Sequence, residues 1–159
     1  MLSSAQAEFI RRIDLNPMPP HVNLDVWLQN LMENLKSEFP QKYHWVGVYW
    51  LREMALYVGP YAGPITHHTV IPVGQGVCGT AVAEDKNQVV SDVRARSNYL
   101  ACNIETRSEI VVLIRNPETF RVIGQIDADG TAPGGFDAPN EEEFLTEIAR
   151  RIANHHAIR

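Results

Sequence analysis

The stretch HWVGVYWL at positions 44–51 marks a change in the spacing of apolar residues along this chain. It is rich in β-branched and aromatic residues, which are typical of a strand, and a second strand is predicted at 55–61 after a tight turn. Upstream, apolar residues recur at helical spacing at 3–14 and 24–39. The stretch therefore predicts the start of a sheet that follows two helices.

Downstream, the pattern predicts several more short strands, a helix between two of these strands, and a second helix at the end of the chain. The expected segments are strands at 68–72, 88–90, 109–114 and 120–127, a helix at 77–83, a loop at 93–106, and a helix to about residue 155 capped by Asn140. Strand hairpins with flanking helices favour an antiparallel sheet covered by helices, which is an α+β fold. We expect a single domain at 1–159, with a helix and a proline-rich connection at 1–22 and the core at 23–159.

Length and charge exclude several classes of protein. A chain of 159 residues fits one domain, and its net charge of −5 argues against a nucleic-acid partner. No stretch approaches the roughly 20 apolar residues that cross a bilayer, and the N-terminus lacks the apolar run of a secretory signal. We therefore expect no membrane partner and a cytoplasmic location. In that reducing compartment Cys78 and Cys102 are not expected to form a permanent disulfide, although a transient catalytic one is allowed.

Acidic residues stand at the ends of two strongly apolar strands. Glu109 opens one predicted strand, and Asp127 and Asp129 close the next, on one face because side chains alternate along a strand. Cys102 precedes Glu109 by seven positions, in irregular chain. Three carboxylates near a cysteine would suit a cationic amine, and their crowding would raise the pKa of one of them toward general-acid duty. The alternative is that these acids only solvate the strand ends.

Cys78 lies at the start of a predicted helix, within Gly76-Val77-Cys78-Gly79. The positive end of the helix dipole stabilises a thiolate at such a position. A free cysteine among small apolar residues is more often a buried hydrophobe, and for Cys78 alone that interpretation is favoured.

Several motifs occur together in this chain. They are Gly74-x-Gly76-Val77-Cys78-Gly79-Thr80-Ala81, Asp92-Val93, Ala101-Cys102, Ser108-Glu109-Ile110-Val111, Gly124-x-Ile126-Asp127-x-Asp129, and the strands at 45–49 and 56–63. With these motifs the chain resembles the GAF-type free methionine-(R)-sulfoxide reductases, from the second helix to the last. The resemblance implies a GAF fold and a thiol-dependent reduction of free methionine-(R)-sulfoxide to methionine.

The resemblance also implies roles for individual residues. Cys102 matches the cysteine that attacks the sulfoxide and becomes a sulfenic acid, and Glu109 matches an acid that supplies the proton. Cys78 matches the middle cysteine and is available to form a disulfide with it. Asp127 and Asp129 match acids that hold the substrate, and Trp45 matches an aromatic wall of the pocket. Tyr49 and His68 are further candidates for binding the substrate. The implied cofactor set is empty, the reductant is thioredoxin or another thiol, and a homodimer is left open.

One departure from the family concerns recycling of the oxidised enzyme. His68 stands ten positions before Cys78, where most members carry a third cysteine that resolves the sulfenic acid. His68 could line the pocket and assist Cys102, or an external thiol could have taken over the recycling.

Two other functions stay open on the sequence. A GAF module that binds a small molecule without chemistry is favoured by the loss of the third cysteine. A metal site could draw on His67, His68, Cys78, Cys102 and the acids. No HxxxH or CxxC spacing supports the metal site, and adjacent histidines on a strand would point to opposite faces.

Overall fold

The computed structural model describes residues 1–96 and 104–157. Its elements are α1 (Ser4–Leu15), α2 (Leu24–Glu38), β1 (Trp45–Arg52), β2 (Ala55–Ala62), β3 (Val70–Pro72), α3 (Gly76–Glu84), β4 (Gln88–Val90), β5 (Ser108–Arg115), β6 (Val122–Gly130) and α4 (Pro139–Ala157). No helix in the described ranges is both long enough and apolar enough to cross a membrane.

The six strands in the described ranges form one antiparallel sheet, in the order β3-β2-β1-β6-β5-β4. The first and last long strands, β1 and β6, pair at its centre. Because both are also paired on their outer sides, β1 and β6 have no free edge. The predicted α+β fold with an antiparallel sheet is confirmed.

Alternate residues of the central strands enter two separate cores. One core holds even-numbered residues such as Val46, Ile110 and Ile126, and it packs against α1, α2 and α4. The other holds odd-numbered residues such as Tyr49 and Val111, and it packs against α3. The sheet is therefore covered on both faces, by long amphipathic helices on one and by a short helix of small residues on the other.

Local sequence signals explain where the first helices begin. The Ser3 side chain accepts a hydrogen bond from the Gln6 amide while the Gln6 side chain accepts one from the Ser3 amide, which is a capping box. The Asn23 side chain caps α2 through the Asp25 amide. Each cap satisfies a backbone donor that would otherwise lack a partner at a helix start.

The structure corrects several boundaries. The third strand begins at Val70, so that His68 is in the preceding loop and not in a strand. Asn140 does not cap the last helix, because α4 begins with Pro139, and the Asn140 amide donates to the Gln6 side chain. The last strand starts at Val122, after the predicted start at Phe120, and runs to Gly130 because β1 and β5 pair with its final residues.

Candidate functional site

The acidic residues lie near the ends of two inner strands, as predicted, but they are buried and not solvated. In the strand register, Asp129 pairs with Glu109 of β5 on one side and with Trp45 of β1 on the other. All three side chains are buried. The register places Glu109, Asp129 and Trp45 in one row across the face that α3 covers.

The next row holds Val111, Asp127 and Gly47. A Cβ atom at position 47 would lie 2.6 Å from Cη2 of Trp45 and 2.5 Å from Cβ of Tyr61. Only glycine leaves room there for the indole ring, which stacks on the ring of Tyr61 with 5.1 Å between the ring centroids. Gly47 therefore lets an aromatic wall form across the strand from Asp127.

Helix α3 brings a thiol to the acids. Sγ of Cys78 lies 3.8 Å from Oε1 of Glu109. Sγ of Cys78, a carboxylate oxygen of Glu109 and one of Asp127 all lie within 4.8 Å of one another. Cys78 is buried, as the more conservative interpretation predicted, and its thiol faces the acid cluster. We call Cys78, Glu109, Asp127 and Asp129 the acid–thiol cluster.

Burial perturbs the titration of all three acids. Burial raises the pKa of Glu109 well above its ordinary value, and the charges of Asp127 and Asp129 raise it further. Burial, together with the charge of Asp127, also raises the pKa of Asp129 well above the ordinary value. Asp127 has a raised pKa from burial, although contacts with Glu109 and Cys78 and the charge of His68 act in the opposite direction. Glu109 therefore holds a proton more tightly than an ordinary glutamate, as suits a general acid.

The two aspartates of the cluster have no N–H donor among the residues that the structure describes. Both side chains are at most 1% exposed. Buried carboxylates normally have a positive or hydrogen-bonding partner, because removing them from water is otherwise costly. The arrangement is therefore suited to a ligand that carries positive charge.

His68 faces this cluster from the loop before β3. Its main-chain carbonyl accepts a hydrogen bond of 2.8 Å from the Tyr49 hydroxyl, and its amide donates to Oγ1 of Thr66 at 3.1 Å. Its imidazole is close enough to lower the pKa of Asp127 when protonated. The half-buried His68 thus borders the acids, whereas its neighbour His67 is exposed.

The structure brings most of the predicted site residues to one face of the sheet. They are Trp45, Tyr49, His68, Cys78, Glu109, Asp127 and Asp129. Cys102, the predicted nucleophile, lies outside the described residues.

Sequence reasoning missed Gln125, which belongs to the same face. It is two positions before Asp127, is fully buried, and pairs across the sheet with Tyr49 and Leu113. Neither its amide nitrogen nor its amide oxygen has a hydrogen-bond partner in the described part of the chain. The alternation that grouped Asp127 with Asp129 also predicts this position, so the signal was available.

Comparison with known proteins agrees with the α+β fold described above. The GAF domain family model matches residues 23–155. Free methionine-R-sulfoxide reductase of Escherichia coli (strain K12) is 39% identical over 109 residues, which are 67% of this chain and 63% of that protein. This chain therefore aligns with less than two thirds of that relative's length.

Solved structures agree with the sequence relatives. The free methionine-R-sulfoxide reductase from Neisseria meningitidis, in complex with its substrate, superposes with a TM-score of 0.82 and 30% identity, over 96% of this chain and 86% of that one. The type II enzyme from Thermoplasma acidophilum gives a TM-score of 0.76 and 34% identity, over 83% and 94%. The resemblance that the motifs indicated is confirmed. The chain belongs to the GAF domain family and, within it, to the free methionine-R-sulfoxide reductases.

Proposed function

We propose that this chain reduces free methionine-(R)-sulfoxide to methionine with a thiol as the final reductant. The observation that carries the proposal is the buried group of Glu109, Asp127 and Asp129, which has no N–H donor at either aspartate among the described residues. Relatives of the same family carry this activity in their names. The acids provide a place for the ammonium group that a free amino acid carries.

Recognition of the free amino acid rests on Asp127 and Asp129. An α-ammonium bound between them would supply the hydrogen-bond donors that their carboxylates lack. A residue inside a peptide has an amide in place of that ammonium, and it would leave the buried carboxylates unmatched. Trp45 and Tyr49, whose ring centroids lie 6.1 Å apart, offer an apolar surface for the methyl and methylene groups.

In the chemical step, the Cys102 thiolate forms a bond to the sulfoxide sulfur. Glu109, protonated because burial raises its pKa, donates a proton to the sulfoxide oxygen. The substrate's S–O bond and the new S–S bond then break as the oxygen passes to Cys102, which becomes a sulfenic acid. The substrate sulfur thereby gains two electrons and the cysteine sulfur loses two. Methionine then leaves, and Glu109 regains its proton from solvent. The role of Cys102 comes from its motif, since its position lies outside the described residues.

Recycling requires a second thiol. Condensation of the sulfenic acid with the Cys78 thiol would release water and form a disulfide, which thioredoxin or another dithiol would reduce. Cys78 supports this role through its contact with Glu109 in the site. The reducing cytoplasm provides such dithiols, and we assign the reaction to that compartment. Light scattering of the purified protein would decide whether it works as a homodimer.

The proposed function is tested by incubating the protein with free methionine-(R)-sulfoxide and dithiothreitol and measuring the methionine formed. Cys102→Ser should abolish turnover, because it removes the attacking thiol. Cys78→Ser should retain the first turnover and slow only the recycling. Wild-type turnover in Cys102→Ser, or no methionine from the wild type, would refute the proposal.

A GAF module that binds the sulfoxide without reducing it is the second candidate. The observation that favours it is His68 at the position of the third family cysteine, beside Asp127. Calorimetry separates the two functions, since a binding module would release heat on mixing with the sulfoxide but form no methionine with dithiothreitol.

A further inference from the structure

The acid–thiol cluster combines a sulfur atom with oxygen atoms, and this combination suits a metal ion as well as an ammonium group. Sγ of Cys78 and carboxylate oxygens of Glu109 and Asp127 come from α3, β5 and β6, and they lie within 4.8 Å of one another. All three residues are buried. Three ligand atoms from three elements therefore converge on one enclosed volume.

Asp129 supplies an independent sign that the cluster is built for a cation. It is 1% exposed, and neither of its carboxylate oxygens has a hydrogen-bond partner among the residues described. It lies close enough to Glu109 and Asp127 for the charges to interact. Buried charges in proteins are generally paired or coordinate metals. The carboxylate of Asp129, beside the three converging ligands, thus adds to the attraction for a positive ion.

The ligand types select among metal ions. Thiolate ligands favour Zn²⁺ and similar ions, whereas Mg²⁺ and Ca²⁺ prefer all-oxygen sites. Tetrahedral zinc places a sulfur and an oxygen ligand about 3.5 Å apart. The observed separation of Cys78 Sγ and Glu109 Oε1 is 3.8 Å, so a shift of a few tenths of an ångström would bring this pair to the distance that zinc requires.

We propose that Cys78, Glu109 and Asp127 form a binding site for Zn²⁺ or another divalent cation that accepts a thiolate, and that the bound ion excludes methionine sulfoxide. Three protein ligands leave a fourth tetrahedral position, and the imidazole of His68 is near Asp127 on this side of the site. Exclusion follows because the ion and the ammonium group would both use Asp127. This second part rests on the proposed function, whereas metal binding does not.

Cobalt provides a direct test of the thiolate ligand. Co²⁺ added to the reduced 159-residue chain should produce a thiolate-to-metal charge-transfer band in the near ultraviolet, saturate at one ion per chain, and be displaced by Zn²⁺. The band should disappear in Cys78→Ser and persist in Cys102→Ser. Absence of the band from the wild type, or its loss in Cys102→Ser with retention in Cys78→Ser, would overturn the assignment.

Amide variants test the oxygen ligands and keep the proposal testable if Cys78→Ser does not fold. Glu109→Gln and Asp127→Asn should each weaken Zn²⁺ binding at least about tenfold in calorimetry, since changes even in outer-shell partners cost 10–100-fold. Glu118→Gln is the matched control, because Glu118 is an exposed acid in the turn after β5 and should leave the affinity unchanged. Equal Zn²⁺ affinity in all three variants, with folding checked by circular dichroism, would refute the site.

Competition is measured by adding free methionine-(R)-sulfoxide to the cobalt-loaded Cys102→Ser variant, in which no turnover can oxidise the Cys78 thiol. The charge-transfer band should fall as the sulfoxide rises, and Zn²⁺ should raise the apparent KM in the reductase assay. A band that the sulfoxide leaves unchanged would refute exclusion. A strong band in a protein that forms no methionine would refute the proposed function but not the metal site. An active reductase without a band would refute the metal site but not the proposed function.

Discussion

The two faces of the central sheet differ in chemistry although the same strands build both. On the helix-covered face, Ile126 and Ala128 of β6 are fully buried among aliphatic and aromatic side chains. On the opposite face, their neighbours Gln125, Asp127 and Asp129 are equally buried but polar, and in the described structure no N–H donor reaches their side-chain oxygens. One face therefore stabilises the fold, and we propose that the other holds a ligand at some cost in stability.

The largest effect is expected on the stabilising face. Ile126→Ala removes buried methyl and methylene groups from a packed core, and such truncations lower the free energy of unfolding by about 2–5 kcal/mol. The measurement is urea denaturation followed by circular dichroism. A loss below about 0.5 kcal/mol would mean that the core relaxes freely around position 126, against the close packing expected of a protein interior.

Asp127, the neighbour of Ile126 on the opposite face of the sheet, provides the matched comparison. Asp127→Asn should not lower the free energy of unfolding, because it removes a buried charge that lacks an N–H donor in the described structure. It should raise KM for free methionine sulfoxide, since hydrogen bonds to charged groups contribute about 1.5–3 kcal/mol. Steady-state kinetics and urea denaturation of the same preparation check both outcomes. An unchanged KM with reduced stability would place Asp127 among the structural residues.

Substitution of Gln125, on the same face as Asp127, should change stability and KM less. Gln125→Leu keeps the approximate volume and removes an amide that lacks a partner, so the free energy of unfolding should rise by about 1 kcal/mol. If the amide contacts the substrate, KM should rise in the same variant. Thermal denaturation and kinetics test both effects, and a less stable protein with unchanged KM would mean that Gln125 has a structural partner.

The smallest expected signal is a slope of stability against pH. Burial raises the folded-state pKa of Glu109 and Asp129 above the unfolded-state value, so both groups bind protons more tightly in the folded protein. Their contribution is then complete below the unfolded-state pKa and is lost as pH rises through the folded-state pKa. The stability of Asp129→Asn relative to wild type should therefore increase with pH from acidic to neutral solution. A relative stability independent of pH would contradict the raised pKa of Asp129.

Sequence patterns predicted a large part of this molecule, because the signals involved are local. Apolar spacing gave the strands and helices, and alternation grouped Asp127 with Asp129 on one face. Alternation could not show that Glu109 pairs with Asp129 and not with Asp127, since register depends on contacts between distant segments.

The position of Cys78 was beyond sequence reasoning for a similar reason. Cys102 is the thiol nearer to Glu109 along the chain, yet the packing of α3 on the sheet brings the Cys78 thiol to 3.8 Å from that carboxylate. The ligand set of Cys78, Glu109 and Asp127 follows no sequence motif, because its members come from three separate elements. Spacing rules such as CxxC detect only sites whose ligands are neighbours in the chain.

The central claim is that the acids of the ligand-holding face select a free ammonium group. The most direct measurement compares kcat/KM for free methionine-(R)-sulfoxide and its N-acetylated form on the wild-type protein. Loss of the ion pair to the ammonium predicts at least a tenfold lower kcat/KM for the acetylated substrate, because an interaction with a charged group contributes about 1.5–3 kcal/mol. Equal kcat/KM values for the two substrates would contradict the account.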